Sequence, residues 1–421
     1  MSVQKVRLGD LVEVVKDNEY EPLKNGLTKY VAGGHLESEK LHITRFGDIE
    51  RDKEVIGSAF HRKFSKGHVL FGTRRAYLRK TGIVTFDGIC ANTTLVLKPK
   101  QNGLVEGLLP FIVRLEKFTK HAVNRSVGST NPYVRWRDLA AFEFELPSEP
   151  EQLKIKEALW SIQNSIDSLE NLLEKTKIYS ISRRESLLTG GIGHTKFKKV
   201  KLDFWTKILI PEKWNCQKLR DCISSTISGI WGQDDDEEFS SENVRIKVIR
   251  STEFKDWNPK MVNNSVYRMI PKSNLKEKSL KVGDIILETS GGGPDQFLAR
   301  TVFIDKEVLG QTDVPITCSN FLRIIRFKNF IKPKFLYHFL NHIYELDLTK
   351  TYETKATNLR NLDLNWFLDT IFISFPPTIK EQEEIVNEIE NLFKIITQQQ
   401  SHLSNLKIMR KSIISSKLTK E

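Results

Sequence analysis

The residues best equipped for chemistry in this chain are basic and aromatic, and they fall in two runs. The first, "GTRRAYLRKTG" from Gly72 to Gly82, holds Arg74, Arg75, Tyr77, Arg79 and Lys80. An arginine fork matches the acceptor edge of guanine, and both Arg and Lys match phosphate oxygens. A tyrosine set among them can stack on a base or lie against a groove wall. If this run is extended, Arg75, Tyr77 and Arg79 face one way, and Arg74, Leu78 and Lys80 the other. The second, "NRSVGSTNPYVRWRDL" from Asn124 to Leu139, offers Arg125, Ser129, Thr130 and Asn131 in a Gly-punctuated loop. Small polar and basic groups in such a loop can donate to phosphates. Each run is equally compatible with an ordinary solvated surface, so the decision must come from the rest of the chain.

Other chemistry is not spelled out. "TSGGGPDQ" (Thr289 to Gln296) is Gly-rich but lacks the Gly-Lys-Ser/Thr of a phosphate loop, and it reads as a hairpin connection. "NPYV" (Asn131 to Val134) lacks the second proline of an amino-methyltransferase motif, and no Gly-rich cofactor loop precedes it. Pro294-Asp295 and Glu353-Thr354-Lys355 are too far apart in the chain to argue a nuclease centre. The nine histidines form no HExxH, and the four cysteines (Cys90, Cys216, Cys222, Cys318) form no CxxC. They read as reduced thiols of a cytoplasmic protein, with no metal expected. No apolar run approaches the roughly 18 residues of a bilayer span, and the N-terminal stretch has no secretory core. Lys plus Arg number 65 against 53 acidic residues, a formal charge of +12, which favours an acidic partner such as nucleic acid.

The elements that must position these loops are written twice. "FSKGHVLFGT" (Phe64 to Thr73) aligns with "LKVGDIILET" (Leu280 to Thr289), and "GICANTTLVLK" with "ITCSNFLRIIR", which sets Cys90 opposite Cys318. "VRLGDLVEV" aligns with "QKLRDCISS", and "LPFIVRLEK" with "KPKFLYHFL". The matches keep one order and end at a shared junction, "PSEPEQ" from Pro147 and "PTIKEQ" from Pro377. This is a tandem duplication. β-Branched and aromatic runs bounded by Gly, then a helix, then a last strand, predict an α+β unit in each half. The division is 1–150 and 194–379 for the two α+β domains, with helices at 151–193 and 380–421. In the second half the loop counterparts are Ser290 and Gln296, and then Lys355, Thr357, Asn358 and Arg360.

After each junction the apolar residues fall at alternating spacings of four and three, the seam of a coiled coil. The first helix places Ile155, Leu159, Ile162, Ile166 and Leu169 on it, and the second places Ile385, Ile389, Leu392, Ile396 and Leu403. Gly190 and Gly191 are expected to cap the first. The simplest partner for each stripe is the other copy, packed antiparallel within one chain; pairing between chains, or with the helix's own domain, is the alternative. Where the halves differ most is the loop: Arg74-Arg75-Ala76-Tyr77 faces Ser290-Gly291-Gly292-Gly293. A duplicated enzyme should keep its catalytic groups in at least one copy. A duplicated reader keeps the frame and varies the tips, so that each copy meets different bases.

"RRAYLRKTGIVTFDGICAN", "SVGSTNPYVRWRDLAAFEFELP", both Glu-Gln junctions and "LLTGGIGHTKFKKVK" followed by "IPEKWNCQKL" together resemble the specificity subunits of type I restriction-modification enzymes. The resemblance covers nearly the whole length and is looser around "TSGGGPDQ" and "DLNWFLDTIF". It implies two tandem target-recognition domains joined by long antiparallel helices, each reading one half of a split double-stranded DNA sequence. It implies no catalysis in this chain. The partners would be two methyltransferase subunits and two restriction subunits, with S-adenosylmethionine, ATP and Mg held by those partners. A coiled-coil scaffold that binds nucleic acid without sequence preference, or a stand-alone DNA-modifying enzyme, is the alternative on the residues alone.

Overall fold

The computed structural model describes residues 4–38, 40–101, 103–203, 206–235, 242–291, 296–356 and 359–419. The chain forms two compact units, the first made of residues 1–173 and 399–421, the second of 174–398. Both long helices are therefore divided between units. No helix among the described residues is long and apolar enough to cross a membrane.

In unit 1, Gln4–Arg7 pairs antiparallel with Glu143–Leu146, so the start of the unit closes on the strand that precedes the long helix. A five-stranded sheet runs Val12–Val14, Thr94–Pro99, Val69–Gly72, Thr81–Val84, His42–Ile43. A four-stranded sheet runs Gly47–Asp48, Lys29–Val31, Gly88–Ala91, Phe60–Phe64. Unit 2 repeats the plan. Asn215–Lys218 pairs with Phe372–Phe375, and a sheet runs Ile223–Ser228, Leu322–Phe327, Ile285–Glu288, Thr301–Phe303. The parallel pair Lys29–Val31 with Gly88–Ala91 returns as Asn243–Ile249 with Ile316–Cys318. In the first pair Cys90 faces Val31, and in the second Cys318 faces Ile249; both thiols are fully buried. The alignment of these cysteines in the sequence is therefore an alignment in the sheet. Burial pushes both thiols up to about 12, as it does Cys222.

The Glu-Gln junction is a clamp. Gln152 and Gln382 sit in the first turn of their helices, almost fully buried. Gln152 Nε2 donates to the carbonyls of Gly103 (2.9 Å) and Pro147 (3.0 Å), while its Oε1 accepts from the Val105 N–H (2.9 Å). Gln382 repeats the pattern with Phe330 (3.2 Å), Pro376 (2.9 Å) and Lys332 (2.7 Å). One side chain satisfies three backbone groups and ties the strand end and a preceding loop to the helix start. Those groups would otherwise be buried without partners. The glutamates differ: Glu151 accepts from the Ser148 N–H and hydroxyl as in a capping box, whereas Glu381 takes the Trp214 indole N–H at 3.0 Å.

The long helices are Glu149–Gly190 and Ile379–Ile414. The first ends where Gly191 adopts φ +66°. They pair antiparallel inside each unit. In unit 1 Lys407 bonds Glu170 (2.7 Å), Arg410 bonds Gln163, and Leu418 joins the core that holds Ile155 and Leu159. In unit 2 Arg183 bonds Glu388 (2.7 Å), and Leu187 and Leu188 share a core with Ile385 and Ile389. The predicted seam needs one correction. Ile155, Leu159 and Ile166 are buried, but the buried position between Leu159 and Ile166 is Gln163, and Ile162 lies half-buried on its flank. Gln163 is there because it takes the Arg410 guanidinium and donates to Asp167 (2.9 Å). Leu169, Leu392, Ile396 and Leu403 are half-buried.

Candidate nucleic-acid interface

In unit 1 the two basic runs meet. Strands Val69–Gly72 and Thr81–Val84 form an antiparallel hairpin, and its connection holds the first run. That connection is not extended, so the alternating faces expected of it do not form. Arg75 and Arg79 both take the left-handed conformation, with φ of 52° and 51°, around a short 3-10 turn at Ala76–Leu78. The turn exists because the hairpin must close, with Gly72 N–H on the Lys80 carbonyl at 2.9 Å. Left-handed backbone at a non-glycine residue is strained by roughly 1–2 kcal/mol, and such strain clusters where side chains must be aimed.

The second run is zipped onto this turn. Arg75 N–H donates to the Pro132 carbonyl (2.7 Å), Val134 N–H to the Thr73 carbonyl (3.0 Å), and Val127 and Tyr133 exchange both backbone bonds. Ala76 and Val134 turn inward and are buried. Arg74, Arg75, Tyr77, Arg125, Ser129, Thr130 and Asn131 stand exposed on the outer side of the same zipped pair. Arg79 and Lys80 are less available. Arg79 bonds Glu116 at 2.5 Å, and Lys80 Nζ donates to the Gly33 carbonyl at 2.6 Å. Two residues of this face were not among the sequence candidates. Exposed Arg135 lies over the Tyr133 ring at 5.8 Å and donates to its hydroxyl at 3.2 Å. Their signal was present in the sequence as an aromatic and an arginine two residues apart, one face of extended chain. The motif "NPYV" drew attention to the wrong chemistry.

Unit 2 uses the same frame. Thr289 stands where Thr73 does. Leu362 N–H donates to the Thr289 carbonyl (2.9 Å) as Val134 does to Thr73, and each threonine hydroxyl donates to a carbonyl of the neighbouring strand turn, Thr93 (2.7 Å) or Phe321 (3.0 Å). Ser290–Gly291 pairs with the hairpin of Glu353–Ala356 and Leu359–Leu362. So the loops after the matched strands are brought together in both units. The tips differ. Ser290 Oγ donates to Asn361 Oδ1 at 2.7 Å, and Gln296 turns its amide oxygen to the Arg300 guanidinium at 2.6 Å. Arg360 bonds Glu353 (3.3 Å), and Arg300 bonds the fully buried Glu288 (2.7 Å). Lys350 stands over Phe297 at 4.0 Å. The described arginines of this face, Arg300 and Arg360, are ion-paired within the unit, whereas Arg74 and Arg75 of unit 1 make no ion pair with a described residue. Thr357 and Asn358 lie outside the described residues, as do 292–295. Lys355 pairs through its backbone with Arg360, and its side chain is not described.

No group of three or more His, Cys, Asp or Glu that could hold a metal occurs among the described residues. Glu353, one of the two carboxylates of the discounted nuclease pattern, is spent on Arg360 and the Leu298 N–H (2.6 Å), and the other, Asp295, lies outside the described residues.

Residues 2–183 match the family model of the type I restriction modification DNA specificity domain. A curated relative, the type I restriction enzyme EcoDI specificity subunit of Escherichia coli, is 26% identical over 161 residues. That match covers 38% of this chain and 35% of the relative, so the aligned part spans about a third of the relative's length. Among solved structures, the type I restriction-modification S subunit of M. genitalium shares the fold with a TM-score of 0.58 at 13% identity, covering 99% of this chain and 96% of that one. A chain from a structure described as the basis of complex assembly and conformational transition of the type I R-M system gives 0.54 at 17% identity, covering 98% and 96%. The fold and the repeated loop frame are those of a tandem α+β protein with the architecture of these S subunits. Over residues 2–183 the chain is thus similar to the type I restriction modification DNA specificity domain.

Proposed function

We propose that this chain reads a two-part, asymmetric DNA sequence, one part with the paired loops of each unit, and that it has no catalysis of its own. The observation that carries this is the shared Thr73/Thr289 frame beneath unlike tips. A frame repeated in hydrogen bonds holds Arg74, Arg75, Tyr77, Tyr133 and Arg135 outward in one unit, and Ser290 and Gly291 beside the ion-paired Arg360 in the other. Arginine forks select bases by their edges and the aromatics beside them lie against a base or groove wall, while Ser129, Thr130 and Arg125 suit phosphates. Two methyltransferase subunits and two restriction subunits would join the chain on DNA. Those partners would hold the S-adenosylmethionine, ATP and Mg, and the assembly would work in the cytoplasm. Sequencing adenine methylation in cells that carry the chain with a methylating partner tests the reading. Marks within a split motif are expected; one continuous motif, or marks without sequence preference, overturns it. The purified chain alone should neither methylate nor cut.

A further inference from the structure

Beyond the paired loops, unit 1 has a second basic feature. A cleft of about 550 Å³ opens between the helix Glu116–Asn124 and the last turns of the second long helix. Its lining brings together seven Lys and Arg side chains, among them Arg79, Lys117, Lys120, Lys407, Arg410 and Lys411, against the single carboxylate of Glu116. Charge of one sign in a concave site with an apolar floor, here Phe111 and Leu41, focuses the field and attracts anions. Part of this charge is fixed in place by partners: Arg79 by Glu116, Lys407 by Glu170, Arg410 by Gln163. Lys120 and Lys411 are exposed, and neither makes an ion pair with a described residue. Lys117 and Lys120 stand three apart on one helix, and Lys407 and Lys411 four apart on the other, so each wall presents two cations on one face. The matching helix of unit 2, Pro333–Glu345, has no such surplus: Arg184 is pinned by Glu345, and Lys334 and His338 by Glu390. The duplication therefore does not require the cleft.

Arg79 belongs both to the turn that carries Arg74, Arg75 and Tyr77 and to the cleft wall. Its left-handed backbone is where the chain turns from one to the other. We infer that the cleft holds backbone phosphates of the same DNA that the unit 1 loops read, as a positioning track beyond the bases. This rests on the DNA reading proposed above. Phosphate contacts fix register without selecting sequence, so their loss should act on salt dependence and not on discrimination.

The test is the double variant Lys120→Ala, Lys411→Ala in the full chain, with binding to a cognate duplex followed against salt. Each lost phosphate contact lowers the slope of log affinity on log salt by about 0.9, so a fall of about 1.8 is expected. The ratio of cognate to random affinity should stay as in the unaltered chain. An unchanged slope, with discrimination intact, overturns the cleft and leaves the DNA reading standing. A collapse of discrimination also overturns it, because the cleft would then read bases. Inorganic tripolyphosphate supplies the second arm: if it stabilises the unaltered chain but not the variant while the DNA slope is unmoved, the cleft holds free polyphosphate and the assignment to DNA fails. If the unaltered chain binds no duplex, the DNA reading falls, and this inference falls with it.

Discussion

Replacing Gln382 by leucine removes three hydrogen bonds and keeps most of the volume. The carbonyls of Phe330 and Pro376 and the N–H of Lys332 then lose this side-chain partner, at a position with no exposed surface. A buried backbone group without a partner costs about 1–3 kcal/mol. Three of them give an upper range near 9, and relaxation or an entering water recovers much of it, so a loss of about 3–4 kcal/mol is expected. With a urea dependence of roughly 2–3 kcal/mol per molar for a unit of this size, the unfolding midpoint of unit 2 should fall by about 1–2 M. The local readout is the Lys332 amide, whose hydrogen exchange should lose protection before that of the neighbouring sheet. Gln152→Leu should do the same in unit 1, with the Val105 amide as reporter and a similar magnitude, because the two clamps have matched partners. An unaltered midpoint together with an unaltered Lys332 amide would show that the repeated glutamine is not a clamp.

Arg75→Ala and Tyr133→Ala should each weaken cognate binding most at one half of the target, by about 1–3 kcal/mol if the side chain meets a base, as measured by competition against half-site-scrambled duplexes; equal loss on every duplex would assign them to phosphates. Cys90, Cys222 and Cys318, pushed up to about 12 by burial, should resist a thiol reagent at pH 8 in the folded chain and react on unfolding, read by absorbance of the released chromophore. Burial pushes Glu390 up, but hydrogen bonds from His338 and Lys334 outweigh it and hold the carboxyl down at about 2. Its folded value lies below the unfolded one near 4.3, so its stabilisation is complete above about pH 5 and is lost as pH falls toward 2. Urea midpoints of Glu390→Gln across that window should therefore fall less steeply than those of the unaltered chain.

Where the chain repeats itself, the fold was legible. The strand alignments that set Cys90 opposite Cys318 and Thr73 opposite Thr289 are also matches of position in the sheets. Buried strands admit few residue types, so two copies that share a sheet still resemble each other. The heptad spacing located the helix seam but missed Gln163, because apolar periodicity has no way to favour a polar side chain whose partner, Arg410, lies 247 residues away. The arginine turn was misjudged for a similar reason. Alternation presumes an extended backbone, and the left-handed geometry at Arg75 and Arg79 depends on the hairpin closing and on Pro132, a residue of another run. That Arg79, Lys80, Gln296 and Arg360 are occupied by Glu116, Gly33, Arg300 and Glu353 is likewise a long-range fact with no local spelling.

The division between what repeats and what varies has a physical basis in the threonine frame. Thr73 and Thr289 each satisfy, through hydroxyl and backbone, the neighbouring strand turn and the return of the second loop. Once those bonds are made, the exposed side chains of Arg74, Arg75 and Tyr77 carry no structural duty to the sheet. Position 74 can then be arginine in one unit while its counterpart, position 290, is serine in the other, without disturbing the core. Substitution at the tips should therefore alter binding while leaving stability within about 0.5 kcal/mol. Substitution of Thr73 or Thr289 by valine, which keeps the shape and deletes the hydroxyl bond, should cost about 1 kcal/mol in its own unit. If tip variants such as Arg74→Ser destabilised unit 1 as much as Thr73→Val does, the loops would be part of the scaffold, and their differences could not be ascribed to recognition.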